Sequence, residues 1–346
     1  GPQSAIICGM KVLVVGGTGF LGYHTTLRLL ALGHEVSVLA RPPLPSQDLL
    51  PPGVPLALAD LDSMPDEELA RLLQGKDGLI FAAGVDDRVV PRRPAYPFFY
   101  QGNVAATERL MRLAAQAGLK RAVVFSSYFL EFERRWPELR LAERHPYIRS
   151  RLEQEKAALT AAGSQLAVNF LLLPYIFGSM PGRAPLWKPL IAYLNSWLPW
   201  VFYPAGGSAM VSVNEVAEAA ARALERGRAG ARYPVCAENL TWQDFLRRLG
   251  KALGKPKPIV TLPKGLVKAG AWLISLGHRL RGRESGLDLV PFVELQTRLA
   301  FLDPDYSAVE LGYTHTELEP DFVNTVRASL PTMKEDNVPK QTSISF

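Results

Sequence analysis

The chain has 346 residues, 48% of them hydrophobic, and Lys+Arg outnumber Asp+Glu by 39 to 33 for a net charge of +6. That is enough apolar material for one large α/β unit with a smaller appended lobe, or for two modest domains, and it excludes a disordered chain. The cations form no basic run interleaved with aromatics, and Cys8 and Cys236 are too few and too far apart for a disulfide framework or a metal site. The reading is therefore no metal, no nucleic-acid partner and a reducing, cytoplasmic setting.

Residues 1–9, "GPQSAIICG", read as a protease-cleavage and vector scar, with native sequence starting at Met10. A short apolar strand, Val12 to Val15, then runs into Gly16-Gly17-Thr18-Gly19-Phe20-Leu21-Gly22. A helical pattern follows, with Leu21, Thr25, Leu29 and Leu32 at repeating spacing and Gly33 as its end, and a second strand covers Glu35 to Ala40. Strand, glycine turn, helix and strand in about 30 residues form a dinucleotide-binding unit. Its glycines allow a tight turn, close backbone approach to a pyrophosphate and close packing of helix on sheet. Free N–H groups and the helix dipole favour the phosphates. Gly16, Thr18, Gly19, Phe20, Leu21 and Gly22 are accordingly expected to bind cofactor. At the end of the second strand Ala40 replaces the acid that would hold a ribose diol, and Arg41 follows. A planar guanidinium there pairs with a 2′-phosphate, so NADP(H) is the expected cofactor.

At this point the chain resembles the extended short-chain dehydrogenase/reductase superfamily, and the resemblance covers nearly all its length. The resemblance implies that Asp60 and Leu61, in "ALADLD", flank the adenine, and that Ala82, Ala83 and Gly84 let the cofactor backbone pass. "NVAATERLMRLAAQAGLKRAVVFSS" looks like the family's central helix and fifth strand, with Asn103 opening the helix and Ser126-Ser127 closing the strand.

The same resemblance assigns Ser127, or Ser126, to the substrate oxygen and Tyr147 to proton exchange with it. The family places a Lys four residues after the Tyr; "HPYIRSRLEQEK" has Arg151 there. The i to i+4 spacing puts Tyr147 and Arg151 on one helix face, whereas Lys156 turns to the opposite face. A positive charge at 151 favours phenolate and should lower the Tyr147 pKa, without shuttling protons. Tyr128, His145 and the substrate itself are other proton sources, and a loop from Asp86 to Arg93 should overhang the site.

Farther on, "LAVNFLLLPYIFG" looks like the sixth strand, its Pro174-Tyr175-Ile176 expected beside the nicotinamide. Residues 190–205 are too short and too broken by Pro199 and Pro204 to span a bilayer, and either line an apolar pocket or pack on the core. The stripe Leu266, Gly270, Leu273, Leu276, Leu280, followed by His278, Arg279, Arg281 and Arg283, is read as a core-facing helix with a solvated end in preference to a membrane-surface helix.

The expected fold is a doubly wound parallel sheet, α/β, with a smaller, mainly helical substrate lobe. The expected domains are an NADP(H)-binding Rossmann domain over 10–175 and a substrate lobe over 176–330, with about 208–240 returning to the sheet and a disordered or vector-derived tail over 331–346. Sugar-nucleotide members of the superfamily carry cations and amides where this chain has Leu173, Ile176-Phe177 and Ala209-Met210. The aromatics Phe98, Phe99, Tyr100, Trp187, Trp197, Trp200, Phe202 and Tyr203 suit a bulky apolar or polycyclic carbonyl substrate instead, as in the hydroxysteroid dehydrogenase and dihydroflavonol reductase branch, or else build the lobe's core. The resulting expectation is NADPH-dependent ketone reduction by Ser127, Tyr147 and Arg151. A sugar-nucleotide epimerase and a non-catalytic NADPH-binding protein are the alternatives. Family pairing near Asn103 and Tyr147 implies a homodimer.

Overall fold

The computed structural model describes residues 9–331, so the expectations for the leader before residue 9 and for the tail from residue 332 lie outside the described residues. Seven parallel strands form the main sheet, in the order β10-β6-β5-β4-β1-β2-β3. Its first six are β1 (Lys11–Val15), β2 (Glu35–Ala40), β3 (Leu56–Leu58), β4 (Gly78–Phe81), β5 (Arg121–Ser127) and β6 (Ala167–Leu173). They read as near-continuous apolar runs because helices cover both faces. In β1, Val12 and Val14 join a core on one side, while Leu13 and Val15 join the core on the other.

Helix α1 (Phe20–Ala31) buries Gly22, Thr25, Thr26 and Leu29, close to the predicted face, and ends before Gly33 at φ +88°. Helices α2 (Asp66–Leu73), α3 (Tyr96–Phe99), α4 (Ala106–Gln116), α5 (Phe129–Arg135), α6 (Leu141–Arg144) and α7 (Pro146–Ala162) follow. The order reverses between β1 and β4, which opens the crevice at the carboxyl ends of the strands where such sheets bind ligands.

The chain then leaves the sheet. Strands β7 (Tyr175–Phe177), β9 (Gly207–Ser212), β11 (Glu238–Thr241) and β13 (Leu299–Ala300) make a second sheet around β9, and β8 (Val201–Pro204) pairs with β12 (Ile259–Leu262). Of the segment expected to return to the main sheet, only β10 (Arg232–Pro234) does so, beside β6. The lobe is thus less purely helical than expected. Its helices are α8 (Lys188–Leu194), α10 (Trp242–Leu253), α11 (Lys264–Leu280), α12 (Leu289–Gln296) and α14 (Glu319–Ser329), while α9 (Val213–Arg226) and α13 (Asp305–Leu311) pack on the main sheet side. Helix α9 starts at Ser212, whose hydroxyl accepts the Glu215 N–H, and α10 starts at Thr241 in the same way.

Two expectations fail in the lobe. No residue of α11 is buried, and its apolar stripe faces away from the core. Trp197 is 89% exposed and Trp200 and Phe202 also face outward, so these rings neither line a pocket nor fill the core. Trp187 and Tyr203 do build the core, Trp187 stacking on Phe177 at 4.7 Å and Tyr203 packing edge-on against Trp242.

Candidate active site

The site is assembled at the carboxyl ends of β1, β2, β4 and β5 and along one face of α7. The glycines of the first turn are dictated by contact. A Cβ on Gly22 would lie 2.0 Å from the Gly16 carbonyl oxygen, and one on Gly16, at φ +88°, would lie 2.7 Å from the Ala83 nitrogen. The first turn of α1 has no side-chain cap and no acidic residue, so its orphan N–H groups face the crevice with the positive end of the helix dipole. Ala82 and Ala83 cross directly behind this turn, the Ala82 N–H donating to the Val15 carbonyl at 2.9 Å.

Arg41 extends from the end of β2, largely exposed, and its guanidinium donates to the Asp60 carboxylate at 3.2 Å. Asp60 in turn accepts the Asp62 N–H at 3.0 Å, so it shapes the turn that carries Leu61. Both predicted adenosine-side residues therefore meet at one edge of the crevice.

Tyr147 and Arg151 meet as their spacing predicts. The Arg151 Nε donates to the Tyr147 hydroxyl at 3.0 Å, and its Nη1 donates to the Phe125 carbonyl at 3.2 Å and to Gln154 Oε1 at 3.0 Å. Arg151 is only 9% exposed, and among the described residues no carboxylate lies within ion-pair distance of it. A buried guanidinium without an acid is costly, which marks the place for a polar or anionic ligand. Its two Nη atoms lie against Gly84, where a Cβ would approach them to 3.4 and 3.5 Å. Glycine is called for there by its φ of +145° and by Asn103 Oδ1, which a Cβ would approach to 3.0 Å.

The expected lowering of the Tyr147 pKa does not occur. Burial pushes the phenol up, Arg151 pulls it down, and the carboxylates of Asp87 and Asp86 push it up again, with a net rise. The ring is enclosed edge-on by Phe99 at 5.8 Å and Phe129 at 6.3 Å, which removes water from around it. Tyr147 is therefore a neutral phenol whose oxygen accepts a charged hydrogen bond and whose proton remains free to donate. Its backbone N–H, an orphan at the start of α7, donates to the Gly286 carbonyl at 2.9 Å, and a Cβ on Gly286 would strike Phe99 at 2.5 Å. The lobe is seated on the site by that glycine.

At the end of β5 the Ser127 hydroxyl oxygen accepts the Phe129 N–H at 3.2 Å, which leaves its own O–H to donate. Ser126 is buried, and among the described residues its hydroxyl has no hydrogen-bond partner, so it is open to one from a ligand. The other proposed proton sources differ from this pair. Tyr128 shares a hydrogen bond with Ser208 at 2.8 Å, and burial raises its pKa. His145 accepts the Asp288 N–H at Nδ1, and burial followed by the Arg144 charge holds it neutral down to about 4. Tyr128 thus lacks the cation that stands on the Tyr147 oxygen, and His145 carries no extra proton to give near neutrality. Pro174, Tyr175 and Ile176 lie at the β6–β7 junction. The Tyr175 ring packs among Tyr128, Trp187 and Trp242, with Trp187 at 5.1 Å.

Two features, and the ion pairing inside the loop expected to overhang the site, were not read from the sequence. Asn103 does not open a helix; it sits buried inside a π-helical stretch, Tyr100–Ala105, that continues into α4. There its side-chain oxygen accepts the Val85 N–H at 2.8 Å and its amide donates to Ser150 at 3.0 Å, tying the end of β4 to α7. A π-bulge commonly marks such a functional adjustment. Arg183, in the loop after β7, donates to the Thr18 carbonyl at 3.0 Å, and His24 of α1 meets the Ser179 carbonyl at 2.9 Å. That loop therefore straps onto the glycine turn, a long-range contact with no local signal. In the Asp86–Arg88 loop, Arg88 binds Asp86 through two 2.8 Å bonds and holds it ionised, while burial and the Asp86 charge raise Asp87.

The sites where the resemblance led one to expect polar and charged groups in a sugar-nucleotide enzyme are filled by buried apolar groups: Leu173, Phe177, Ala209 and Met210.

Sheet order and the glycine turn together place the chain in the extended short-chain dehydrogenase/reductase class. The chain belongs to the NAD dependent epimerase/dehydratase family, whose model matches residues 12–236. It is similar to the 4-hydroxy-2-methyl-3-oxo-4-farnesyl-3,4-dihydroquinoline-1-oxide ketoreductase of Stigmatella aurantiaca, 26% identical over 335 residues that cover 93% of this chain and 97% of that one. Similarity to UDP-glucose 4-epimerase 3 of Oryza sativa subsp. japonica is 34% over 131 residues, about a third of each chain. The crystal structure of gox2253 shares the fold with a TM-score of 0.74 at 23% identity, over 92% of this chain and 98% of that one. The family thus joins reductases and sugar-nucleotide epimerases, and among the described residues no helix is long and apolar enough to cross a membrane.

Proposed function

We propose that this protein is an NADPH-dependent ketoreductase acting on the carbonyl of a bulky apolar small molecule. The observation that carries the reading is the Tyr147–Arg151 pair at the crevice end of the sheet: a buried neutral phenol, packed edge-on between Phe99 and Phe129, whose oxygen is held by a guanidinium at 3.0 Å. The residues present fit a dinucleotide. The uncapped start of α1 receives the pyrophosphate, Arg41 the 2′-phosphate, Asp60 and Leu61 the adenine side, and the free Arg151 donors a ribose hydroxyl. The Ser126 hydroxyl, buried and without a partner, adds a polar contact on the same side. When bound, NADPH supplies the hydride.

The protein then has three tasks. The Ser127 hydroxyl donates to the carbonyl oxygen and polarises it. Tyr147 donates its proton to that oxygen as negative charge develops there. Arg151 stabilises the phenolate left behind, which offsets the unfavourable effect of burial on the phenol. A guanidinium does not release a proton, so Tyr147 is reprotonated by another group, and Asp87, whose carboxyl is raised and whose charge is felt at the phenol, is the candidate.

Support for an apolar ketone comes from the aromatic wall around Tyr147, from the apolar residues at 173, 177, 209 and 210, and from the nearly full-length similarity to a ketoreductase. The test is an NADPH-oxidation screen over polycyclic and long-chain ketones, with purified protein inspected for bound nucleotide. Turnover with a subset of ketones is the expected result. Tightly held NAD+ with interconversion of UDP-sugars and no ketone turnover would replace this reading with epimerisation.

A further inference from the structure

Helix α11 is built inside out. Over its 17 residues the positions turned toward α12 include Val267, Ala271, Ser275 and His278, whereas Leu266, Leu273, Leu276 and Leu280 lie on the outward face. Leu273 is 62% and Leu280 81% exposed, and Trp272 and Ile274 flank them, also exposed. At about 100° per residue the outward stripe takes in Ala269, Gly270 and Gly277 as well, so it carries no charged side chain along its length. A surface helix normally shows water the opposite face.

The strand before the helix continues the pattern. β12 runs into α11 through Pro263, and its Val260 pairs across the ladder with Phe202 of β8, both side chains exposed. Trp197 and Trp200, just before β8, are exposed too. Tryptophans concentrate where an apolar phase meets water.

The charges around the stripe identify what covers it. At its C-terminal end Arg279 and Arg281, both exposed, flank the stripe, and on the side turned toward α12 a cavity of about 120 Å³ lined by Ser275 and His278 gathers Arg93, Arg144 and Arg283 against two acids, Glu284 and Asp288. Backbone pairing of Arg92 with Arg283, and an Arg93 N–H to Gly282 carbonyl bond of 3.0 Å, hold this cluster together beside exposed Arg281. At the other end Lys264 and Lys268 share the single carboxylate of Glu294. A second copy laid on the stripe in either direction would meet cations at both ends. An anionic surface with an apolar interior complements both features.

We propose that α11, with the β8–β12 ribbon, seats this protein on the surface of an anionic lipid bilayer, its leucine stripe in the acyl boundary and the flanking Arg279 and Arg281 on lipid phosphates. The helix is about 25 Å long and lies in the interface plane; it is too short to span a hydrocarbon core of about 30 Å. The sequence pattern alone favoured a core-facing helix, and the structure reverses that preference because the stripe has no protein partner among the described residues.

The test is co-sedimentation of the full chain with vesicles of phosphatidylcholine alone or mixed with phosphatidylglycerol, at low and high salt. The variants are Leu273→Glu and the double variant Arg279→Glu with Arg281→Glu. All three side chains are exposed, so the fold should survive, and the melting temperature together with NADPH titration checks that it does. The wild-type chain is expected to pellet with phosphatidylglycerol vesicles, less so at high salt. Leu273→Glu and the arginine double variant should each bind about tenfold or more weakly. No binding of the wild type to either vesicle, or full binding by Leu273→Glu, overturns the proposal. A wild-type dimer in solution that Leu273→Glu dissociates, with no vesicle binding, would assign the face to a second copy instead.

Discussion

Replacing Arg151 with Met should remove most of the catalysis while leaving the fold standing. The substitution deletes the donor 3.0 Å from the Tyr147 oxygen and the two bonds from Nη1 to Phe125 and Gln154. Loss of one donor aimed at a developing oxyanion costs about 2.7–4 kcal/mol, or roughly 10²–10³ in kcat. The structural cost is smaller than three lost bonds suggest. Each stranded acceptor costs about 1–3 kcal/mol, but relief of a guanidinium buried without an acid offsets much of it. The melting temperature should therefore fall by only a few degrees. Arg151→Lys keeps the cation at the same i+4 position and should lose about tenfold or less. The assay is steady-state NADPH oxidation with a ketone from the screen, alongside nucleotide affinity by calorimetry. An Arg151→Met variant that binds NADPH normally and keeps kcat within about threefold would refute the role given to the pair.

Arg41→Ala should cost about tenfold or more in NADPH affinity and little in NADH affinity, because only the 2′-phosphate loses its cation; equal losses for both nucleotides in calorimetry would remove that assignment. Gly22→Ala places a methyl 2.0 Å from the Gly16 carbonyl and should abolish nucleotide binding or folding, read by calorimetry and thermal melting. Arg183→Ala should weaken binding of either nucleotide about equally by loosening the strap over the glycine turn, with a melting temperature nearly unchanged. His145 titrates near 4 in the folded chain against about 6.5 unfolded, so its contribution to stability is whole above about 6.5 and is lost as pH falls toward 4, by up to about 3 kcal/mol. Melting temperatures of His145→Gln should accordingly fall less between those pH values than those of the wild type.

The glycine turn and the first two strands were legible because contact geometry leaves no choice at Gly16 and Gly22, and strand and helix periods switch on schedule around them. The Tyr147–Arg151 contact was legible for the same reason: i and i+4 share a helix face. What the pair does to the phenol was not, since that depends on Phe99, Phe129 and Asp87, all of which reach Tyr147 from other elements. Arg183 on Thr18, 165 residues apart, and Gly286 under Tyr147 are tertiary contacts that no local pattern announces. In α11 the hydrophobic period was read correctly and its direction was not, because an amphipathic pattern fixes a face without saying what the face meets.

The central claim is that hydride passes to a carbonyl in this cleft, and transfer of label from NADPH deuterated at the reactive C4 position tests it most directly. With a ketone that supports NADPH oxidation, the account predicts deuterium on the product carbinol carbon and a reaction slowed about 10²–10⁴-fold by Tyr147→Phe. NADPH bound tightly with no label in any product, or label transfer that Tyr147→Phe leaves unchanged, would contradict it.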